Sequence, residues 1–65
     1  MIGGFYKHHK SGRVYKVGGG IKVINTTKDQ NKEMVIYIDP LKPLEIFVKE
    51  EEEFNKEFTL IKIGN

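Results

Sequence analysis

The chain has 65 residues, of which 38% are hydrophobic and none is cysteine, and its formal net charge is +2. This length predicts one small domain over residues 1–65, and the lack of cysteine excludes disulfides and thiolate metal sites. A core of this size supplies little net stability, so we expect self-association to help. Neither a signal-peptide pattern nor an apolar run long enough for a bilayer is visible, so we expect a cytoplasmic protein, in the host cytoplasm if a phage encodes it.

Apolar and polar residues alternate with a period of two over most of the first half of the chain, and this pattern predicts β-strands rather than helices. Ser11-Gly12 is a two-residue hairpin signal, and Gly18-Gly19-Gly20 predicts a sharp bend or a bulge. The predicted elements are a strand over residues 5–9, a returning strand over 13–17, a third strand over 21–25 and a polar loop over 26–31.

The second half contains a continuous apolar run, Met34–Ile38, which predicts the central and most buried strand. Asp39-Pro40 and Lys42-Pro43 end this strand, since proline lacks a backbone donor and restricts the residue before it. The remaining predicted elements are a turn of 3₁₀ helix or a short strand over 44–48, a solvated acidic run over 50–53 and a last strand over 58–63. A helix over residues 44–57 is the alternative for the Glu- and Lys-rich part.

Five to six short strands joined by tight turns predict an all-β domain. We expect either a small SH3-like curved barrel or an open antiparallel sheet, with at most one 3₁₀ or helical turn near residues 44–48.

A two-residue Ser11-Gly12 loop would pair Lys10 with Arg13, and this register assigns every hairpin side chain to a face. It also sets Lys7 directly against Lys16, a repulsive pair that an anion would relieve. The first face then carries Tyr6, His8, Lys10, Arg13, Tyr15 and Val17. The second face carries Phe5, Lys7, His9, Val14 and Lys16.

Aromatic and imidazole groups beside cations suit an anionic ligand with a flat ring. The candidate ligand-binding residues are Tyr6, Lys7, His8, Lys10, Arg13, Tyr15 and Lys16. The competing interpretation is that the two tyrosines belong to the core of the domain and the cations keep an ordinary hairpin soluble.

Catalytic and metal chemistry find little support in the sequence. His8 and His9 are adjacent, so in a strand they point to opposite faces and cannot share one phosphate. They also lack a third metal ligand at a fitting spacing, and the run Glu50–Glu53 is typical of a solvated edge.

Ser11 has no acid nearby that could orient a histidine. Gly18–Gly20 lacks the Lys-Ser/Thr of a phosphate loop, although its backbone could form an anion nest. We therefore expect no enzyme, no cofactor and no metal.

Charge is distributed unevenly along the chain. Residues 1–32 contain seven cationic side chains and one acid, whereas residues 33–65 contain four lysines and eight acids. This asymmetry favours an anionic partner for the first half, or attraction between copies.

Three short blocks resemble, in order, motifs of a prokaryotic and phage family catalogued as domain of unknown function sixteen fifty-three. Residues 6–17 are similar to its opening Y-[RK]-H-x-K-G-x-x-Y-x-V, residues 33–37 to its E-x-V-V-Y strand and residues 43–47 to its R-P-L-E-M-F block. Ser11 is an insertion before the turn glycine, and Lys42 stands where the family has arginine. The family's Trp-containing loop before the third block is reduced here to Ile38–Lys42.

The resemblance implies a small single domain without an established activity. Its opening motif picks out five members of the first hairpin face, which supports a shared role for that face. These are Tyr6, His8, Lys10, Tyr15 and Val17.

The leading hypothesis is a phage or bacterial binding protein that captures a small anionic ligand, most simply a nucleotide, and thereby sequesters a nucleotide signal of host immunity. A site between copies of a homo-oligomer would enlarge what one short chain can offer. One alternative is an SH3-like nucleic-acid-binding module. Another is a protein–protein interaction module, or an inhibitor of a host protein, that acts through a sheet edge or the acidic residues 50–57. No membrane partner is expected.

Overall fold

The computed structural model describes residues 1–25 and 30–64 and contains one five-stranded antiparallel sheet with a short helix. The elements are β1 (Gly4–His8), β2 (Val14–Asn25), β3 (Gln30–Ile38), β4 (Phe47–Glu50), α1 (Glu51–Glu57) and β5 (Phe58–Ile63). The strand order is β4-β3-β2-β1-β5, so the chain forms a four-stranded meander whose first strand also pairs with the last. The all-β prediction is confirmed in its open-sheet form. No described helix is long and apolar enough to cross a membrane.

β2 is a single bent strand where two strands were predicted. Its pairing with β3 shifts between Val17, which faces Tyr37, and Gly19, which faces Ile36, so Gly18 is the extra residue of a bulge. A bulge increases the local twist without ending the strand, and the φ of +142° at Gly19 favours glycine. The predicted bulge is confirmed. Of the predicted loop 26–31, residues 26–29 lie outside the described residues and the last two belong to β3.

The first hairpin has a longer loop than the sequence predicted. Tyr6 pairs with Tyr15 and Lys7 with Val14. The loop is closed by hydrogen bonds from the His8 amide to the Arg13 carbonyl (2.8 Å) and from the Gly12 amide to the His8 carbonyl (2.9 Å).

The predicted register of this hairpin is therefore wrong. Lys10 does not pair with Arg13, and Lys7 does not oppose Lys16. The His8 ring explains the wider loop, since its Nδ1 lies 2.9 Å from Ser11 Oγ and organises the turn residues. The register differs from the prediction by two positions, so the predicted alternation of faces is preserved within the strands.

In the second half, the central strand of the sheet is β2 rather than the predicted residues 34–38. Residues 39–45 form two consecutive turns, in which the Lys42 amide donates to Asp39 and the Glu45 amide donates to Lys42. The acidic run begins α1, because carboxylates are favourable at a helix N-terminus. The alternative helix over 44–57 thus forms only over its last seven residues, and the predicted last strand, Phe58–Ile63, is confirmed.

The core lies between α1 and one face of the sheet. Phe54 is the buried residue of α1 and stacks on Phe58 with ring centroids 4.0 Å apart and an interplanar angle of 3°. The buried apolar residues are Tyr6, Val17, Val35, Tyr37, Phe54 and Phe58. The opposite face of the sheet, called the open face below, carries no described helix or strand.

Candidate ligand-binding face

The open face carries the side chains that alternate with the core residues along each strand. Since directly opposed residues share a face, the pairing register assigns its members strand by strand. Its members include Phe5, Lys7, Val14, Lys16, Gly19, Ile21, Val23, Lys32, Met34, Ile36, Ile38, Val48, Glu50, Thr59 and Lys62. Their composition divides the face into a basic part on β1, β5 and the start of β2, and an aliphatic part on β2 to β4.

The basic part is built around one aromatic ring. Phe5 on β1 is opposed by Lys16 on β2 and by Lys62 on β5, and neighbouring strands lie about 4.8 Å apart. Lys7 follows on the same side of β1, two residues or about 7 Å along the strand. These four residues, which we call the lysine platform, are three lysines on neighbouring strand positions beside a half-buried phenylalanine.

Positive charge on the platform is not compensated by an acid of residues 1–25 or 30–64. Among the described residues, the ion pairs use other cations, and none includes Lys7, Lys16 or Lys62. Like charges gathered on one surface raise the local potential, so this region attracts anions.

A shallow depression lies beside the platform. It has a volume of about 290 Å³ and is lined by the three glycines of β2 together with Ile21 and Ile36. A Cβ added to Gly18 would meet no atom within 4 Å. The absence of a side chain at this position is therefore not required by packing, and its effect is to leave the depression open.

Three of the predicted site residues lie on the core face. Tyr6 is 6% exposed, and its hydroxyl donates to the Ile2 carbonyl. Burial raises the pKa of the Tyr6 phenol above its ordinary value, with a smaller contribution from Glu51. Tyr15 is half-buried and makes edge contacts with Tyr37, Phe47 and Phe58. His8 packs on Phe58 with a centroid distance of 4.9 Å. Packing is thus the role that the geometry assigns to these rings.

Two more predicted residues, Lys10 and Arg13, lie in the hairpin loop. Arg13 Nη1 is 3.6 Å from Asp39 Oδ2 and lines an open groove of about 400 Å³ with Lys42. Lys10 lines a separate groove of about 350 Å³ together with Lys56. The remaining two, Lys7 and Lys16, belong to the platform. The seven predicted residues therefore occupy three places, where the prediction put five of them on the first hairpin face and two on the second, and their role in binding stays a prediction.

The expectation that no acid lies near Ser11 and a histidine is wrong. His8 Nε2 is 3.7 Å from Glu57 Oε1, while His8 Nδ1 faces Ser11 Oγ. The Glu57 carboxylate accepts a 2.7 Å hydrogen bond from Lys49 Nζ, which is the main cause of its lowered pKa. Ser11 Oγ in turn accepts the Arg13 amide at 3.2 Å. This network therefore connects the hairpin loop to the end of α1.

The two histidines have different partners, as their opposite predicted directions require. His9 Nε2 lies 2.6 Å from Thr59 Oγ1 on β5, whereas His8 faces Ser11 and Glu57. Within residues 1–25 and 30–64, no three His, Cys, Asp or Glu side chains come together as a potential metal site.

Sequence reasoning missed Phe5 and Lys62 as members of a basic aromatic surface. The alternation of residues placed Phe5 on one face with Lys7, and this pattern could have indicated the surface. Lys62 had no such signal, because its neighbour is set by the pairing of β5 with β1.

Searches of protein-family models, of curated proteins and of solved structures found no match to this chain. The resemblance to family sixteen fifty-three rests on the three sequence blocks and stays a prediction.

Proposed function

We propose that this chain is a non-enzymatic binding module that captures a nucleotide on the lysine platform. The observation that carries the proposal is the position of Phe5 between Lys16 and Lys62 on an uncovered face of the sheet. An aromatic ring offers a stacking surface to any base. Lysine ammonium groups recognise phosphate as point charges.

The size of the platform favours a short anion. Its three lysines lie on β1, β5 and the start of β2, whereas the open face of β3 and β4 carries Ile36, Ile38 and Val48. A long nucleic acid would need a basic track across the whole face. One nucleotide needs only a ring contact and cations for its phosphates. A protein that binds a nucleotide without converting it lowers its free concentration, which is the sequestering role expected from the sequence.

A single-stranded nucleic acid is the second candidate, because the platform lies on an open sheet face and not inside an enclosed cavity. Three lysine–phosphate contacts on a single strand predict that log K falls with log salt with a slope of about −2. A slope near this value for an oligonucleotide, together with weak binding of mononucleotides, would favour this candidate.

The test is isothermal titration calorimetry with ATP, a cyclic dinucleotide and a short oligothymidylate as probes. Lys16→Ala and Lys62→Ala each remove one charged hydrogen bond, worth about 1.5–3 kcal/mol, so each should weaken ATP binding at least about tenfold. Phe5→Leu keeps apolar bulk but removes the stacking surface, and it should also weaken binding.

Lys22→Ala is the matched control, because Lys22 is an exposed β2 lysine off the open face, 3.9 Å from Glu33. It should change the dissociation constant less than about twofold. The double variant Lys10→Ala/Arg13→Ala separates the platform from the hairpin loop. If that double variant abolishes binding and Lys16→Ala does not, the site is in the loop and the platform proposal is wrong.

A further inference from the structure

We propose that the aliphatic part of the open face is the interface of a symmetric dimer, in which Val48 of each copy enters the glycine depression of the other. This inference does not rest on nucleotide binding, since it concerns β3, β4 and the part of β2 that follows the bulge, whereas the lysine platform lies on β1, β5 and the start of β2. Four apolar residues of this part are more than a third exposed. They are Ile21 (40%), Val23 (44%), Ile36 (37%) and Val48 (56%).

The area of this patch suits a dimer. These exposed fractions amount to roughly 300 Å² of apolar surface, within the size range of the largest patch on a typical monomer. An interface of standard size buries about 800 Å² on each partner, and somewhat more than half of it is non-polar. The aliphatic part of the open face therefore supplies about two thirds of the apolar area of one such interface.

The shape of the patch is complementary to itself. Val48 pairs with Ile36, and Ile36 pairs with Gly19, so these three residues form one row across β4, β3 and β2. A two-fold axis parallel to the strands and passing by Ile36 exchanges the two ends of this row. Two sheets stacked about 10 Å apart with strands within about 30° then place Val48 of one copy over Gly19 of the other.

Gly18 supports this arrangement by a separate observation. A side chain at this position would meet no atom of its own chain within 4 Å, so neither packing nor its φ requires glycine. The missing side chain matters only for something that approaches from outside. Val48, the most exposed apolar residue of the row, is such a group in a second copy.

Charge is compatible with the same axis. Lys7 and Lys62 lie on β1 and β5, beyond β2 from the axis, so they stay at opposite flanks of the dimer. Lys16, which faces Ile38 near the start of β2, lies at the rim of the contact. The charged side chains that belong to the aliphatic side, Lys32 and Glu50, neutralise each other at 2.7 Å. Mostly neutral side chains therefore meet at the centre.

The experiment is sedimentation equilibrium of the full chain without nucleotide, with circular dichroism to confirm that each variant is folded. The wild type should have twice its 7.5 kDa chain mass. Val48→Asp and Gly18→Leu should each raise the dissociation constant at least about tenfold, as expected for central interface positions. Leu44→Asp is the control, since Leu44 is 97% exposed in the β3–β4 connection, and it should remain dimeric.

Three results would overturn the proposal. The first is a wild type that stays monomeric at about 1 mM, the weak limit of specific association. The second is a dimer that both open-face variants leave intact, and the third is a dimer that Leu44→Asp disrupts as strongly. If Val48→Asp fails to fold, Gly18→Leu decides, because its added side chain meets open space in the monomer.

Discussion

Phe54 is expected to be the residue on which the packing of α1 depends. It is fully buried, and its ring centroid lies 4.0 Å from that of Phe58 and 5.2 Å from those of Tyr6 and Tyr37. Replacing a buried phenylalanine by alanine costs about 3–5 kcal/mol. A 65-residue domain has a total free energy of unfolding of roughly 3–10 kcal/mol. Phe54→Ala should therefore remove a large share of the stability.

The loss should be greatest for the helix. α1 has seven residues, and Phe54 is the one that is buried. Helices this short are not stable in water without tertiary contacts. We expect a lower helical signal in circular dichroism, and a urea midpoint shifted to a lower concentration.

Phe47→Ala provides the comparison for this prediction. Phe47 stacks on Tyr37 at 5.4 Å but is 38% exposed, so its truncation should cost about half as much or less. The reasoning is refuted if the free energy of unfolding of Phe54→Ala, from urea denaturation, lies within about 1 kcal/mol of the wild type. It is also refuted if Phe47→Ala is the more damaging change.

Three further predictions concern pH and backbone geometry. Burial raises the pKa of Tyr6, so the stability that its phenol contributes is complete below pH 10 and is lost as the pH rises through the folded-state value. Tyr6→Phe should reduce the loss of stability in alkaline urea titrations, and an unchanged alkaline limb would contradict this. The hydrogen bond from Lys49 lowers the pKa of Glu57, so the stability that this carboxylate contributes is present above pH 4.5 and is lost as the pH falls through the folded-state value. Glu57→Gln should therefore flatten the acid limb of the plot of stability against pH. At Gly4, an added Cβ would collide with the facing carbonyl oxygen of β5. Gly4→Ala should therefore lower the midpoint of thermal unfolding by many degrees. Gly20→Ala is the control, because its Cβ would meet only ordinary contacts, and it should change the midpoint little.

The strands could be predicted from the sequence because their signals are local. Alternation and proline stops place β1, the end of β3 and the whole of β5 within one residue of the structure. The bulge in β2 also has a local cause, three consecutive glycines. Whether a bulge ends a strand depends on the partner strand, and β3 continues to pair on both sides of Gly18.

The hairpin register could not be predicted because a side chain sets it. Ser11-Gly12 suits a two-residue turn, but the His8 ring accepts the Ser11 amide and accommodates a wider loop. The helix was underestimated for a related reason. Seven residues with three acids in the first turn are a weak helix by propensity, and it is the insertion of Phe54 between sheet side chains that stabilises α1.

The candidate site was predictable only in part. Aromatic and basic residues predicted a site in the hairpin, which contributes three of the four residues of the proposed platform, and alternation separated Lys7 and Lys16 from Tyr6 and Tyr15. Which of the two faces is buried depends on where α1 packs, and α1 lies more than 30 residues further along the chain. The sequence pattern alone could not show that the tyrosine face is core and that the lysine face is open.

The position of β1 between β2 and β5 has a consequence for biosynthesis. His9 and Thr59, which join the two ends of the chain through a hydrogen bond, are 50 positions apart. At a translation rate of about 5–20 residues per second, β1 is synthesised roughly 3–10 seconds before β5, its second neighbour. Until β5 exists, one edge of β1 lacks its native partner and is open to pairing with other chains. The interior position of β1 in the sheet is therefore completed only after β5 has been made.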